Sequence, residues 1–283
     1  MPLLSNRYGK GRVRVARVLR DGDRHEIREL SVRTILKGDF AAAYTHGDNR
    51  TSIATDTIKN LTNIVAHEQP GAGIEAFAQA LAARLLDRYP QIQSATVTCE
   101  ETKWLRATIA GRPHDNTFLL DSNGKPHAHI EASRTHVQTT SGITDFTFMK
   151  TTQSGWVGYP MDEVTTLKET TDRIAATAMN ATWTWNTAPA DYESANATIL
   201  AAMLEVFATT YSRGIQDSLY RMAEAALAAI PELQTITLAC PNKHYLPIDL
   251  SRFDLPPSDQ SSDNTVFTPT DEPHGQIECT VGR

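Results

Sequence analysis

The order of predicted strands and helices occurs twice along the chain, and this internal repeat constrains the fold more than any single segment does. The first half contains two strands, two amphipathic helices and two further strands, and the second half repeats that order. The 283 residues suffice for two domains, which usually contain ~100–200 residues each. We therefore predict two α+β units, residues 1–138 and 139–283, in which helices cover one face of an antiparallel sheet.

The alternation and the helical spacing of apolar residues place the individual elements. In the first half, strands are predicted at 12–20, 27–36, 92–99 and 103–109, helices around 58–65 and 74–85, and a hairpin excursion at 116–137. In the second half, strands are predicted at 143–150, 172–185, 235–240 and 244–250, helices at 195–208 and 216–229, and a loop at 252–274. Each sheet would then have unpaired edges, which closure of a barrel by several subunits would protect.

The charge balance and the apolar pattern argue against several classes of protein. With 27 basic and 33 acidic residues the net charge is −6, whereas a dedicated nucleic-acid-binding protein is usually basic. No apolar run approaches the ~20 residues that cross a bilayer, and we find neither an apolar signal core nor a final Ser-Lys-Leu. The three scattered cysteines indicate a reducing compartment rather than a disulfide framework. We therefore predict a cytoplasmic protein with no nucleic-acid and no membrane partner.

Polar residues at the start of the first predicted helix have two interpretations. Thr55 and Asp56 are favourable N-cap residues, so the simpler interpretation is a capped helix. Alternatively, the free amides of this helix start bind an anion. Lys10 lies just before a strand and is expected to be solvated, unless its surroundings make it a base for a nearby hydroxyl group.

Three further clusters are similarly ambiguous. Asn242 and His244 lie between two predicted strands and are interpreted in two ways. They form a turn, or His244 shuttles protons while Asn242 hydrogen-bonds an oxygen species. Arg173 is notable because a guanidinium can donate two hydrogen bonds to one planar acceptor. His127 and His129 share a strand face, but two imidazoles without further ligands are a weak zinc signal. The sequence contains no Gly-rich phosphate loop and no Gly-x-Ser-x-Gly elbow, which lowers support for nucleotide cofactors and for serine hydrolases.

Four long motifs are distributed over essentially the whole chain. They are Tyr8-Gly9-Lys10 leading into Val13-Arg14-Val15, Ala54-Thr55-Asp56-Thr57-Ile58-Lys59-Asn60, Thr165-Thr166-Leu167-Lys168-Glu169-Thr170 with Asp172-Arg173, and Pro241-Asn242-Lys243-His244-Tyr245 with Ile248-Asp249-Leu250. Together with the closing Cys279-Thr280-Val281-Gly282-Arg283, and in this order, they resemble the urate oxidase (uricase) family. The resemblance implies tandem tunnelling-fold (T-fold) units and a homotetramer in which two subunits close a barrel and two barrels stack. It also implies that urate, O2 and water react to give 5-hydroxyisourate and hydrogen peroxide, without metal or organic cofactor, at sites between subunits.

The resemblance further implies how the second half binds the substrate. Arg173 would donate to a carbonyl oxygen and a ring nitrogen of the planar urate anion. Gln216 would bind the neighbouring carbonyl and N–H, because an amide has both a donor and an acceptor. Asn242 would hold the oxygen species or the attacking water above the ring, and Ile215 would line the oxygen pocket with its backbone.

The first half would supply the remaining groups of the site. By the resemblance, Thr55 and Asp56 would approach the five-membered ring of urate from the other subunit with their backbone N–H groups. Lys10, Thr55 and His244 would form a proton relay, in which neutral Lys10 takes the proton of the hydroxyl and His244 connects to solvent. This relay would carry urate toward an electron-rich dianion that reduces O2 directly.

One position departs from the family pattern, which usually stacks a phenylalanine under the substrate. Trp156 takes that place here, and Tyr159 is a second candidate if the gap is placed differently. An indole stacks as well as a phenyl ring but is bulkier, and a core tryptophan is the alternative interpretation. Two other functions therefore stay open: a T-fold relative that acts on another purine or a pterin, with zinc at His127 and His129, and a non-catalytic purine-binding protein.

Overall fold

The computed structural model describes residues 1–250, 252–253 and 266–283. Its strands are β1 (Tyr8–Asp21), β2 (Arg24–Gly38), β3 (Ile92–Ile109), β4 (Arg112–Asp121), β5 (Lys125–Ser133), β6 (Val137–Lys150), β7 (Ala175–Trp185), β8 (Leu233–Pro247) and β9 (Phe267–Gly282). Its helices are α1 (Ala41–Thr45), α2 (Thr55–Glu68), α3 (Ile74–Arg88), α4 (Tyr192–Thr209) and α5 (Ile215–Ala229). Every strand pair whose register is described is antiparallel, so the predicted α+β class is confirmed.

The chain divides into two compact units that are not simple sequential halves. The first contains Met1–Thr144, Thr182–Ala197 and Glu232–Gln234, and the second contains Asp145–Ala181, Thr198–Pro231 and Thr235–Arg283. This division groups residues by packing, whereas the predicted boundary between residues 138 and 139 follows the order of the elements. The boundary of the repeat therefore stays a prediction.

The first unit has an apolar core between its sheet and the helices α2 and α3. Its strand order is β1-β2-β3-β5-β6, and β4 pairs with β3 outside that path. Alternate residues of the strands point into the core, as Val32, Leu36 and Val97 do. The helices bury Ile58 and Phe77 completely, and each such side chain contributes ~1.5–3 kcal/mol when it leaves water.

In the second unit, β6, β7, β8 and β9 follow one another in the sheet. β8 and β9 pair antiparallel along their length, with a register shift between Asn242 and His244. The helices contribute large buried side chains: Ile199, Met203, Phe207, Leu219 and Met222. In the ranges that the structure describes, no helix is long and apolar enough to cross a membrane.

The separation of the predicted strands at 92–99 and 103–109 is wrong, because they form the single strand β3. The charged segment between them stays paired with β2. Glu101 in that segment forms an ion pair with Arg28 at 3.4 Å, which compensates a charge inside the sheet. The short helix α1 was not predicted from the apolar pattern.

The strands predicted at 235–240 and 244–250 likewise form one strand, β8, which ends at Pro247. The polar residues between them are accommodated by the register shift rather than by a turn. Residues 267–274, predicted as part of a loop, belong to β9. Most of the remaining predicted loop lies outside the described residues.

Candidate active site

The helix α2 begins without a side-chain cap. Its N-cap residue is Ala54, which has no side-chain oxygen, so the interpretation of Thr55 or Asp56 as the cap is wrong. The first helical hydrogen bonds run from Thr57 N and Ile58 N to Ala54 O, at 2.9 and 3.3 Å. Within the described part of the chain, the amides of Thr55 and Asp56 have no backbone partner. Free amides at a helix start are the arrangement that binds anions.

The carboxylate of Asp56 pairs with side chains of its own helix. It accepts hydrogen bonds from Lys59 and, at 3.1 Å, from Asn60 Nδ2. The bond from Lys59 is the main cause that holds the pKa of Asp56 below its ordinary value, and the charge of Lys10 contributes to the same shift. The charges of Lys10 and Asp56 therefore interact within the first unit.

β1 contains a bulge directly after Lys10. Its pairing with β2 shifts between Lys10 and Val13, and Arg12 adopts the left-handed region with φ 54°. Bulges re-aim side chains and are frequent beside active sites. Gly9 runs so close to the Thr34 backbone that a Cβ atom at residue 9 would collide with it. These two features fix the backbone on both sides of Lys10, which is half-buried.

Tyr8 connects β1 to the segment that precedes α2. Its hydroxyl accepts a hydrogen bond from Ile53 N at 2.6 Å and donates one to Ile53 O at 3.1 Å. Its ring packs edge-on against Phe40, with centroids 4.8 Å apart. Burial raises the pKa of Tyr8, so its hydroxyl stays protonated and keeps this link at neutral pH. Tyr8 belongs to the Tyr8-Gly9-Lys10 motif, but the neighbouring sequence does not reveal its contact with Ile53. Sequence reasoning therefore missed its supporting role.

In the second unit, Gly214 allows Trp156 and Gln216 to approach one another. A Cβ atom at Gly214 would lie 2.7 Å from the Trp156 ring and 3.3 Å from Gln216 Oε1, so a larger residue would force the ring away. Ile215 and Gln216 are the first residues of α5, and Ile215 is buried. Trp156 is half-buried and stacks on Tyr159, with ring centroids 5.7 Å and planes 14° apart. Both residues considered for the stacking position therefore lie together.

Arg173 joins this group through the backbone. Its N–H donates to Ser154 O at 2.8 Å, and Ser154 forms a bridge with Ser212, which lies just before Gly214. The Nε atom of Arg173 is buried and has no hydrogen-bond partner among the described residues. Burial lowers the pKa of this guanidinium. Because an unpaired buried donor costs ~1–3 kcal/mol, this atom indicates a ligand position in the second unit.

Asn242 and His244 lie on β8, on either side of Lys243. His244 lines a cavity of about 170 Å³, and in its wall Lys243 forms an ion pair with Asp271 at 3.8 Å. No hydrogen bond or ring contact in the described ranges joins Asn242 or His244 to the group around Gly214. The second unit thus contains Trp156, Arg173 and Gln216 around Gly214, which we call the recognition group. Separately, on β8, it contains His244, the candidate end of the proton relay.

In the described part of the chain, His127 and His129 lack the further ligands that a zinc site needs. Among residues 1–250, 252–253 and 266–283, no group of three or more His, Cys, Asp or Glu side chains is arranged to hold a metal ion. His129 instead hydrogen-bonds Thr98 Oγ1 through Nδ1 at 3.0 Å, and its Nε2 lies 3.4 Å from Glu131. Burial lowers the pKa of His127, so its ring is neutral at neutral pH.

Comparisons with known proteins cover nearly the whole chain. The family model described as Uricase matches residues 6–131 and 139–278. The chain is 34% identical over 284 residues to a uricase of Dictyostelium discoideum, covering 99% of this chain and 97% of that protein. It is 36% identical over 279 residues to a uricase of Arthrobacter globiformis, covering 98% of this chain and 89% of that protein. A crystal structure of uricase from Arthrobacter globiformis superposes with a TM-score of 0.91 at 36% identity, covering 100% of this chain and 95% of that one.

Proposed function

Because the chain belongs to the uricase family, we propose that it oxidises urate with O2 and water to 5-hydroxyisourate and hydrogen peroxide. Urate loses two electrons and gains a hydroxyl group from water, while O2 takes up two electrons and two protons, so the reaction balances. The observation that carries the proposal is the buried Nε atom of Arg173, which has no partner among the described residues. A planar anion with a carbonyl oxygen beside a ring nitrogen satisfies such a guanidinium.

Arg173 and Gln216 bind one polar edge of urate and fix its orientation. Gln216 supplies a donor and an acceptor from one amide, and its Oε1 lies near Gly214, beside the Trp156 ring. Trp156 stacks against the purine ring, and the backbone of Ile215 lines the oxygen pocket. A purine that lacks the matching carbonyl leaves Arg173 unpaired, which gives the site its selectivity.

Thr55 and Asp56 bind the five-membered ring of urate through their amides. Lys59 and Asn60 engage the Asp56 carboxylate, so the urate anion meets N–H groups rather than an unpaired negative charge. Asn242 holds the oxygen species or the attacking water over the ring.

Lys10, Thr55 and His244 transfer protons in this proposal. A hydroxyl is a weak base alone, so Thr55 removes a proton from urate only if neutral Lys10 takes the proton of the hydroxyl. His244 exchanges that proton with solvent. The resulting urate dianion is electron-rich and reduces O2 itself, which is why we propose no metal and no organic cofactor.

We also propose a cytoplasmic homotetramer of chains that each contain two T-fold units, residues 1–138 and 139–283. Each site combines Lys10, Thr55 and Asp56 of one subunit with the second-unit residues of another. β1 and β9 end the strand order, and pairing between subunits would close these edges into a barrel. The three cysteines are free, as expected in a reducing compartment.

Two other functions receive less support. A relative acting on another purine or a pterin with zinc would need more ligands than His127 and His129 have in the described residues. A non-catalytic purine-binding protein would have no need for a proton relay of Lys10, Thr55 and His244.

The test of the activity is oxygen uptake with urate in aerated buffer that contains a strong chelator. Loss of urate, measured by absorbance, should equal the O2 consumed and the hydrogen peroxide formed. No uptake by folded protein, or uptake that the chelator abolishes, would contradict the proposal.

Binding of urate under nitrogen tests the recognition group separately. Arg173→Ala should abolish binding, because the anion loses its bidentate partner while the buried position becomes an apolar gap. Unchanged affinity in this variant would overturn the role of Arg173 even if the enzyme oxidises urate.

A further inference from the structure

Tyr159 lies against the indole of Trp156, although the proposed reaction gives it no role. The two rings are nearly parallel, with an angle of 14° between their planes and 5.7 Å between their centroids. Offset stacking of this kind fixes the relative orientation of two aromatic side chains. Tyr159 therefore covers one face of Trp156, and a planar ligand can stack only on the opposite face.

Tyr159 is itself fixed by the segment that surrounds it. The chain between Trp156 and Thr170 is closed at its base by two backbone hydrogen bonds between these residues, of 2.7 and 3.1 Å. Across this segment, Tyr159 Oη donates a hydrogen bond to Leu167 O at 2.7 Å. The phenol ring thus has a defined position from which it supports the indole.

The indole is also restricted on a second side. A Cβ atom at Gly214 would lie 2.7 Å from Cζ3 and 2.9 Å from Cε3 of Trp156, which shows how closely the backbone approaches the ring. With Tyr159 stacked on one face and the Gly214 backbone near this edge, a tilt of Trp156 would move the ring toward that backbone or away from Tyr159.

We propose that Tyr159 is a positioning residue that holds Trp156 in the plane on which urate stacks. This inference rests on the proposed function, because only there does Trp156 contact urate. An indole is larger than the phenyl group that the family usually has, so a small rotation displaces more of the purine ring relative to Arg173 and Gln216. The hydrogen bond to Leu167 makes tyrosine a firmer support than phenylalanine.

The test compares Tyr159→Ala and Tyr159→Phe with the wild type. Tyr159→Ala should raise the KM for urate about two- to tenfold, the range expected for loss of one aromatic pair. Tyr159→Phe keeps the ring and loses only the hydrogen bond to Leu167, so its KM should rise less. Val164→Ala, in the same segment and 78% exposed, is the matched control and should keep the wild-type KM.

The circular dichroism of Trp156 reports the position of its ring independently of enzyme activity. The near-UV circular dichroism of the wild type minus that of Trp156→Phe gives the contribution of Trp156. Tyr159→Ala should lose this contribution, whereas Tyr159→Phe should retain most of it. Tyr159→Leu keeps apolar volume and replaces the alanine variant if that variant does not fold.

The outcomes distinguish this inference from the proposed function. A wild type that does not oxidise urate contradicts the proposed function, and the dichroism alone then decides whether Tyr159 positions Trp156. An active wild type with unchanged KM and unchanged Trp156 signal in folded Tyr159→Ala would overturn the positioning role only.

Discussion

The helices α2 and α4 begin in different ways. α2 has Ala54 at its N-cap position and no side-chain cap hydrogen bond. α4 follows Asp191, whose carboxylate accepts hydrogen bonds from Glu193 N at 3.1 Å and from Ser194 N at 3.3 Å. A side-chain cap satisfies the amides that a ligand would otherwise bind. The capped start therefore stabilises the fold, and the uncapped start is where the proposed urate-binding amides lie.

A missing cap alone does not mark a functional site, because α3 also begins without a side-chain cap. At α2 the missing cap leaves free the amides that we propose bind urate. Loss of a cap costs about 0.5–2 kcal/mol, so an uncapped helix start needs support from elsewhere. Here Tyr8 anchors Ile53, which lies just before the helix. Ile58, in the first turn of α2, packs into the core. The start of α2 is thus held in position without using its own first amides.

The largest expected effect is a loss of kcat in variants at the uncapped start of α2. Thr55→Ala and Lys10→Met should each lower kcat about 10²–10⁴-fold, the usual contribution of general acid–base catalysis. The KM for urate should change little, because the amides stay in place. Steady-state kinetics with urate measure both values, and near-wild-type kcat in both variants would refute the relay.

The capped start should behave in the opposite way. Asp191→Ala should lower the free energy of unfolding by about 0.5–2 kcal/mol, because two amides of α4 lose their acceptor. Its kcat and KM should equal those of the wild type. Denaturant unfolding and kinetics on the same preparation measure these quantities, and a loss of kcat in folded protein would show that the two helix starts do not differ as described.

Transfer of a cap to α2 tests the comparison directly. Ala54→Ser should add about 0.5–1 kcal/mol of stability, because a serine oxygen at the N-cap accepts from the free amide of Asp56, the second helical residue. The same bond should raise the KM for urate severalfold, since the cap competes with the substrate. Greater stability with an unchanged KM would mean that these amides do not bind urate.

The smallest expected effect concerns the pH dependence of stability near Asp56. Its pKa is lower in the folded protein than the ordinary 3.8, mainly because Lys59 donates to it. The stabilisation is therefore present above that ordinary value and is lost as the pH falls through the lower, folded-state pKa. Asp56→Asn should melt slightly below the wild type at pH 7, and the difference should vanish in acid. A difference in Tm that persists at low pH would contradict this origin.

Apolar spacing predicted most of the long strands and helices because it directly reflects which faces are buried, but it missed α1 and β9. It failed at boundaries where tertiary contacts compensate polar residues, as at Glu101, which pairs with Arg28. The Lys10, Thr55 and Arg173 motifs could be found from resemblance. The supporting roles of Tyr8 and Gly214 could not, because they depend on contacts such as that between Tyr8 and Ile53, which are 45 residues apart in the chain.

The central claim is that each site needs the first-unit group of one subunit and the second-unit group of another. It is tested most directly by co-expressing Thr55→Ala and Arg173→Ala chains with different tags and isolating assemblies that contain both. Each variant alone should be nearly inactive. Mixed assemblies should regain activity in about a quarter of their sites, since random association pairs two intact groups at that frequency. Mixed assemblies no more active than either parent would contradict the account.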